Sequence, residues 1–381
     1  MFSVAESIKC MQDYLRSGKT LAQFESEHGI AGKTDGNHLI LDYDQFTVKW
    51  NEPYGYACRG LVVDPVTFEV IAFGLPKFHN LGEHYASSID WASARVFEKI
   101  DGTMINRWWS PVTQRFEYTT RFCLPDGLET TKVNSGAMHW ADMIRRCMAS
   151  VSVDVLALQS KKETWTFEVC SFHNMVVVRH AGFYAKLLAV RNIETLQEQS
   201  VADRDFAPSY YRFSNADEVA AFANKHPATE LEGFVVVDSS FNRIKIKSDQ
   251  YVSLHRLKDG LRGINNLVML AKGNDYEEVT SHFPEYKPDL DMAASIINAV
   301  IHKHEQAYAS ASMIDNQKDF AIEINSKGLE CSAALFAVRA GRAISIDAAF
   351  RHMPDTAFCK IFKSKIANAL SNSYSDSKPL S

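Results

Sequence analysis

Residues 95–108 read RVFEKIDGTMINRW, in which an Asp-Gly pair separates two short runs rich in β-branched and aromatic residues. Such a pattern predicts a strand, a tight turn and a second strand, with Lys99 two residues ahead of the turn. Taken alone, it is typical of a hairpin with a lysine in solvent. The rest of the chain decides whether Lys99 has a chemical role.

On both sides of this stretch, from about residue 39 to residue 248, short apolar and aromatic runs recur between Gly, Pro, Asp and Asn. This texture predicts strands that are mostly antiparallel where short turns join them. Residues 137–158 have helical spacing and interrupt the sheet. The predicted strands include 61–63, 70–73, 95–100, 115–121, 164–170, 175–178, 187–190, 234–237 and 243–247.

The two ends of the chain have helical spacing instead. Apolar residues at three- and four-residue steps predict a helical segment over about 4–28 and several helices after residue 251. The polar, Ser-rich end at 371–381 predicts a frayed tail. We therefore predict an α+β protein, with an antiparallel-sheet domain over 1–250 followed by an all-helical domain over 251–381.

Charge and composition limit the partners and the compartment. The formal net charge of −5 means that a polyanion would have to be bound by a local cluster of cations. The seven cysteines are scattered without any CxxC pair, which favours reduced thiols over disulfides or a structural zinc site. No apolar run reaches the roughly 18–20 residues that a bilayer requires. We expect a soluble, cytoplasmic monomer with no membrane contact.

Two lysines alternate with two isoleucines over residues 243–247. In a strand, Lys245 and Lys247 would share one face about 6.6 Å apart. An amphipathic edge strand has this pattern, but so does a clamp for a phosphate chain. The pair would also help to lower the pKa of a third lysine, which at its ordinary pKa is protonated and cannot attack phosphorus. Lys99 is the candidate for that nucleophile.

Two acidic residues stand at strand positions suited to a nucleotide site. Glu232 begins an apolar strand beside Gly233, where a carboxylate could hold Mg²⁺ against phosphates. Glu168 alternates with apolar residues that face the core, so its side chain would point away from the core, where it could meet ribose hydroxyls. Either acid, taken alone, is also an ordinary polar strand residue.

Together these elements resemble a known superfamily. Lys99-x-Asp101-Gly102, Phe167-Glu168, Glu232-Gly233 and Lys245-Ile246-Lys247 occur in the order found in the covalent nucleotidyltransferases, which comprise DNA ligases, RNA ligases and mRNA capping enzymes. Residues 58–64 (CRGLVVD) and 76–83 (PKFHNLGE) narrow the resemblance to the phage T4 RNA ligase 1 family. The resemblance covers about residues 50–260 of this chain.

The resemblance implies specific roles. Lys99 would attack the α-phosphate of ATP and carry AMP as lysyl-AMP, Lys245 and Lys247 would stabilise that phosphate, and Glu232 would associate with Mg²⁺, for which Mn²⁺ could substitute. The other implied nucleotide-binding residues are Asp101 and Gly102 at the turn, Glu168 at the ribose, Arg59 and Lys77 at the triphosphate, Phe78 near the adenine, and Arg121 as a basic residue between Lys99 and Glu168.

The implied activity is ATP-dependent joining of 5′-phosphate and 3′-hydroxyl RNA ends, either single strands or a broken loop such as that of a tRNA. The resemblance also implies a bacteriophage source and hence the host cytoplasm. Two alternatives belong to the same superfamily, a DNA ligase and a capping enzyme, but both usually carry an OB-fold where this chain predicts helices. A third alternative is a nucleotide- or RNA-binding module that has lost catalysis.

Two further features are set aside. His302, His304 and Glu305 lack the four-residue spacing of a helical metal site, so we predict a solvated helix face. No GxxxxGK[ST] motif occurs in the 381 residues, so the sequence predicts no kinase that would heal RNA ends.

Overall fold

The protein is described by a computed structural model that covers residues 2–133, 136–261, 263–273 and 276–375. It divides into two compact units, Met1–Ser253 and Leu254–Ser381. The first contains antiparallel sheets with helices and the second is helical. The predicted α+β class is confirmed.

The first unit begins with helices packed on a four-stranded antiparallel sheet of order β1-β2-β3-β4. The predicted helical segment over 4–28 is two helices, because the chain turns at Gly18 with a φ of 85° and restarts at the Thr20 capping box. The elements are α1 Val4–Arg16, α2 Leu21–His28, β1 Ile30–Thr34, β2 Leu39–Tyr43, α3 Tyr54–Ala57, β3 Arg59–Val63 and β4 Val70–Ala72.

Two five-stranded sheets complete the first unit. The second sheet has the order β12-β6-β13-β14-β5 and the third the order β11-β10-β9-β7-β8; only the β14–β5 pair is parallel among the described pairings. Their strands are β5 His79–Asn80, β6 Arg95–Glu98, β7 Thr103–Ser110, β8 Arg115–Thr120, β9 Glu163–Cys170, β10 Tyr184–Asn192, β11 Glu198–Gln199, β12 Tyr210–Tyr211, β13 Gly233–Val237 and β14 Arg243–Lys247.

Helices cover one face of each five-stranded sheet. The helices are α4 Pro125–Thr130, α5 Trp140–Met148, α6 Val153–Ala157 and α7 Ala216–Ala223. Trp165 and Phe167 of β9 are buried in one core with residues of α5, whereas Ile244 and Ile246 of β14 are buried in another with residues of α7. Because strand side chains alternate, Glu168, Lys245 and Lys247 point away from those cores.

The Asp101-Gly102 turn does not close a hairpin. The strand before it, β6, pairs with β12 and β13 of the second sheet, and the strand after it, β7, pairs with β8 and β9 of the third. The turn therefore carries the chain from one sheet to the other. Lys99 stands at this crossing.

The predicted strand over residues 175–178 is wrong. This segment is a loop in which the backbone N–H groups of Val177 and Val178 donate to Oδ2 of Asp101 at 2.8 and 2.7 Å. The apolar run resembled a strand, but its amides are satisfied by a buried carboxylate instead of a neighbouring strand.

The second unit packs its helices around one apolar core that includes Ile297, Phe320, Leu335, Phe350 and Phe362. The helices are α8 Asp249–Leu261, which begins in the first unit, α9 Ile264–Gly273, α10 Glu277–His282, α11 Lys287–Ala311, α12 Gln317–Ser326, α13 Ser332–Arg339, α14 Ile346–Arg351 and α15 Asp355–Ser375, with a 3₁₀ turn at Pro284–Tyr286. No helix in the described ranges is long and apolar enough to cross a bilayer.

Two predictions for the second unit need correction. His304 is buried, with Nδ1 2.7 Å from the Val300 carbonyl oxygen and Nε2 accepting from the Cys331 N–H at 3.1 Å, so it is not on a solvated face. The predicted frayed tail starts too early, because α15 continues to Ser375; residues 376–381 lie outside the described residues.

We expect Gly233→Ala to destabilise the protein. Gly233 has a φ of 144°, and a Cβ there would come within 2.2 Å of the Ile246 carbonyl oxygen, which belongs to the paired strand. Strain and overpacking of this kind cost about 1–3 kcal/mol each. Thermal unfolding should show a clearly lower Tm. Gly182→Ala is the control, because a Cβ at Gly182 meets nothing within 4 Å; equal Tm values for the two variants would contradict the assignment.

Candidate active site

A cavity of about 620 Å³ is lined by residues of the second and third sheets. Phe97, Val235 and Lys245 line it from the second sheet, and Met104 and Leu188 from the third. Its volume lies within the range of about 300–1,000 Å³ that is usual for small-molecule sites. The cavity is therefore large enough for a nucleotide.

Strand register brings together Lys99, Lys245 and Lys247, which all line this cavity. Gly233 pairs with Lys247, and the Lys99 N–H donates to the Gly233 carbonyl at 2.8 Å, so Lys99 and Lys247 flank Gly233 in one row. In the next row Val235 lies between Phe97 and Lys245. Both lysines predicted as a clamp thus line the same cavity as Lys99, from the strand beyond β13.

The carboxylate of Glu232 bridges two of these lysines. Lys99 Nζ lies 2.6 Å from Oε2, and Lys247 Nζ lies 2.9 Å from Oε1. Only 2% of the Glu232 side chain is exposed. Burial alone would raise the pKa of Glu232, but the two ammonium groups outweigh it and hold that pKa below its ordinary value.

The pKa of Lys99 is shifted in the direction opposite to our expectation. Burial favours the neutral amine, but the carboxylates of Glu232 and Glu168 outweigh burial and raise the pKa of Lys99. The prediction that neighbouring cations lower this pKa is wrong for this arrangement. The sequence did not show how close the carboxylates of Glu232 and Glu168 lie to Lys99.

Lys245 is the lysine that the cluster makes neutral. Burial is the main cause, followed by the charges of Arg59, Lys77, Lys99 and Lys247, and together they lower the pKa of Lys245 to about 6. Its Nζ lies 4.9 Å from the ring centre of Phe78. Near neutral pH this amine would take up a proton when an anion arrives.

Glu168 lines the cavity, as its strand position predicts. Burial is the main reason that its pKa is raised to about 8; Lys99 opposes the shift and Glu232 adds to it. A carboxyl group that is partly protonated near neutral pH can donate or accept a hydrogen bond. Both capacities suit ribose hydroxyls.

Arg59 and Phe78 also line the cavity. The guanidinium Cζ of Arg59 lies 5.5 Å from the Phe78 ring centre, and its Nη1 is buried with no hydrogen-bond partner in the described structure. A buried donor without a partner costs free energy unless a ligand satisfies it. Phosphate oxygens are suitable acceptors for arginine.

Asp101 and Gly102 shape the turn beside Lys99. Oδ1 of Asp101 accepts from the Tyr251 hydroxyl at 2.9 Å, in addition to the two amides at Oδ2. A Cβ on Gly102 would lie 2.5 Å from the Val169 carbonyl oxygen. The turn is held by a buried carboxylate on one side and packed against β9 on the other.

Five predicted site residues do not themselves line the cavity: Lys77, Asp101, Gly102, Arg121 and Glu232. Lys77 Nζ lies 5.2 Å from the Trp50 ring centre, although its charge reaches Lys245. Arg121 donates to Asp42 Oδ1 at 2.7 Å, and its Cζ lies 4.0 Å from the ring centre of Tyr43. Sequence spacing does not show that Arg121 has this partner, because Asp42 is on a distant strand.

Sequence reasoning missed two structural features of this site. Tyr251 stands four residues after Lys247, where its ring lies 5.1 Å from Lys247 Nζ and its hydroxyl binds Asp101. The side chain of Glu198 is only 3% exposed and pairs with both Arg191 and Arg243, which joins the third sheet to β14. The first could have been found from its one-turn spacing; no local signal reveals the second.

The acids can accept a divalent cation, although no cluster of three metal-binding side chains occurs among the described residues. Mg²⁺ commonly keeps several waters and binds one or two carboxylates together with substrate phosphates. Glu232 could supply such a carboxylate, and it lies close enough to Glu168 for its charge to raise the pKa of Glu168. The donor set fits a metal that arrives with a nucleotide.

We expect Glu232→Gln to lower the pKa of Lys99. Burial favours the neutral amine, and the carboxylate of Glu232 is one of the charges that oppose this effect. Removing that carboxylate should therefore lower the pKa of Lys99. The reactivity of Lys99 toward an acylating reagent, followed across pH by peptide mapping, should reach its midpoint at lower pH. Glu194→Gln is the control, because Glu194 pairs with the exposed Lys162. A midpoint equal to that of the wild type would rule out this electrostatic account.

We expect the protein to take up a proton when it binds inorganic pyrophosphate. At pH 7 Lys245 is mostly neutral, and a bound anion raises its pKa, so affinity should rise as pH falls from 8 toward 6. Calorimetry at pH 7 in two buffers of different ionisation enthalpy measures the uptake. It should disappear in Lys245→Met and persist in Lys162→Met; persistence in both would contradict the assignment.

Comparison with known proteins gives a family for this fold and site. A family model described as RNA ligase matches residues 57–251, which is more than half of the chain. The "Putative bifunctional polynucleotide kinase/RNA ligase" of Autographa californica nuclear polyhedrosis virus is 23% identical over 356 residues, or 88% of this chain. The chain spans about half the length of that relative (50%).

Solved structures show weaker likeness. An archaeal ATP-dependent RNA ligase matches at 14% identity and a TM-score of 0.44, covering 94% of this chain and 98% of that one. A variant of the Naegleria gruberi RNA ligase with ATP and Mn matches at 15% identity and a TM-score of 0.30, covering 43% and 51%. At these scores the likeness adds nothing to the family match. On the extent of that match, the chain belongs to the RNA ligase family.

Proposed function

We propose that the chain is an ATP-dependent RNA ligase that joins 5′-phosphate and 3′-hydroxyl RNA ends through lysyl-AMP and adenylylated RNA. The observation that carries the proposal is that Lys99 and Lys247, which both line a nucleotide-sized cavity, are bridged by the buried carboxylate of Glu232. An amine, an acid and further cations at such a place match the needs of covalent nucleotidyl transfer.

The cavity offers separate surroundings for the parts of ATP. Phe97, Val235 and Leu188 supply apolar walls for the base, whereas Phe78, which the resemblance put near the adenine, lies beside Arg59 and Lys245. Arg59 and Lys245 supply donors for the phosphates beside Lys99. Glu168 is the acid available to the ribose. We infer that the α-phosphate then lies within reach of the Lys99 amine, which lines the same cavity.

In the first step, the lone pair of Lys99 Nζ forms a bond to the α-phosphorus. By then the ammonium form of Lys99 has lost one proton to water. The bond from that phosphorus to the bridging oxygen of the β-phosphate breaks, pyrophosphate leaves with the electron pair, and the nitrogen gives up a second proton to water. A Mg²⁺ ion bound by Glu232 would supply positive charge to the phosphates and weaken the hold of the carboxylate on the Lys99 proton. Burial then favours the neutral, nucleophilic amine.

The next two transfers return the amine and seal the RNA. An oxygen of the RNA 5′-phosphate attacks the adenylate, the phosphorus–nitrogen bond breaks, and Lys99 takes a proton. The oxygen of the RNA 3′-hydroxyl then attacks the activated 5′-phosphate and loses its proton to water. The phosphoanhydride bond breaks, AMP leaves, and a phosphodiester remains. Lys247, on the other oxygen of Glu232, stays beside the transferring group in the first two steps.

Several finer assignments remain predictions. These are the phage source, the cytoplasmic location, the monomeric state and the choice between single strands and a broken tRNA loop. The viral relative is also named as a polynucleotide kinase, but we propose only the ligase reaction for this chain.

We expect α-labelled ATP with Mg²⁺ to label the protein covalently at Lys99. Peptide mapping should find AMP on Lys99, with essentially no label in Lys99→Ala. The matched control is Lys162→Ala, a lysine whose side chain is 61% exposed and lies outside the cavity, which should label as the wild type does. Label on another residue, or none on the wild type, would refute the proposed function.

A further inference from the structure

A smaller hollow lies beside the strand that forms one wall of the cavity. Phe78 and Asn80 line the cavity, whereas His79, between them in the chain, lines a separate hollow of about 140 Å³. Strand β5, which contains His79 and Asn80, pairs with β14 so that Asn80 stands opposite Lys245. One strand therefore contributes to both spaces.

Five of the seven residues that line this hollow carry aromatic rings: Phe2, Trp50, Tyr56, His79 and Tyr85. The other two are Asn51 and Glu52, and the Glu52 carboxylate is paired with His28 and Lys49. The rings of Trp50 and His79 are nearly perpendicular, with centres 5.3 Å apart, and the centres of His79 and Tyr85 are 5.9 Å apart. Tyr85 is 37% exposed, so its side of the hollow is accessible.

The size of the hollow suits one flat ring. An apolar cavity of about 150 Å³ holds a benzene molecule, whereas whole drug-sized ligands need roughly 300 Å³ or more. A nucleobase presents such a ring, and stacking on aromatic side chains accepts any of the four bases. Burial and then the charge of Lys77 lower the pKa of His79, so its ring is available in the neutral form.

A cation stands between this hollow and the reactive lysines. Lys77 Nζ is 5.2 Å from the Trp50 ring centre, and the Lys77 N–H donates to the Tyr56 carbonyl at 2.9 Å. On the other side, the charge of Lys77 acts on Lys245. The Lys245 carbonyl accepts from the Leu81 N–H at 2.8 Å, which fixes the end of β5 against β14.

We propose that the hollow binds the base of the 5′-terminal nucleotide of the phosphate-bearing RNA strand. With its base among the aromatic rings, this nucleotide directs its 5′-phosphate toward Lys77 and Lys245, where it faces the adenylate on Lys99. The strand that ends in a 3′-hydroxyl has no terminal phosphate to match these cations. The inference rests on the proposed function and adds to it the site of the second substrate.

The test compares two 5′-phosphorylated oligoribonucleotides that differ only in whether the first nucleotide has a base or is abasic. The protein is first labelled with AMP, and the rate of AMP transfer to each RNA is then measured in a single turnover. The wild type should transfer faster to the complete RNA, by a factor on the order of ten. Adenylylation by ATP, measured separately, reports whether each variant is folded.

Tyr85 is the residue to change, because its partial exposure makes misfolding less of a risk. Tyr85→Ala should slow transfer to the complete RNA on the order of tenfold and leave transfer to the abasic RNA unchanged. Tyr85→Phe keeps the ring and should behave as the wild type does. Tyr211→Ala is the matched control, since Tyr211 is 41% exposed and lines neither space.

The proposal is overturned if the wild type treats the two RNAs alike, or if Tyr85→Ala slows both equally or neither. Those results leave the proposed function intact, because adenylylation still occurs. A wild-type protein that does not accept AMP from ATP would contradict the proposed function, and this inference with it.

Discussion

The carboxylate of Glu232, held between the ammonium groups of Lys99 and Lys247, is the interaction on which the site depends. A carboxylate that is 2% exposed is stable as an anion only because both partners are present. Removing one partner of a buried ion pair typically costs about 3–5 kcal/mol. The fold therefore has to bring β6, β13 and β14 into register before this charge can be buried, and Gly233 permits that approach.

The same arrangement divides the lysines into two kinds. Acids hold Lys99 in its protonated form, whereas cations and burial make Lys245 neutral near pH 7. An incoming triphosphate and metal would reverse both conditions, since the phosphates favour a charged Lys245 and the metal competes for Glu232. Under the proposed function, Lys99 would become nucleophilic only after its nucleotide has bound.

Sequence could predict the parts of this site that depend on local pattern. Alternation over residues 243–247 placed Lys245 and Lys247 on one face, and the buried Ile244 and Ile246 bear this out. Spacing gave no account of contacts between distant segments. It could not show that Asp42 pairs with Arg121. It also assigned residues 175–178 to a strand, although the N–H groups of Val177 and Val178 donate to Asp101. Nor could it show which acids and cations lie closest to Lys99. The balance between them decides whether the pKa of Lys99 is raised or lowered.

The most direct measurement is the titration of the Lys99 amine in the free wild-type protein, followed by lysine-selective ¹⁵N NMR and assigned with Lys99→Arg. Because Glu232 and Glu168 stabilise the ammonium form, the midpoint should lie above the ordinary lysine value of 10.5. A midpoint near or below neutrality would show that the carboxylate does not hold this proton, and would contradict the account.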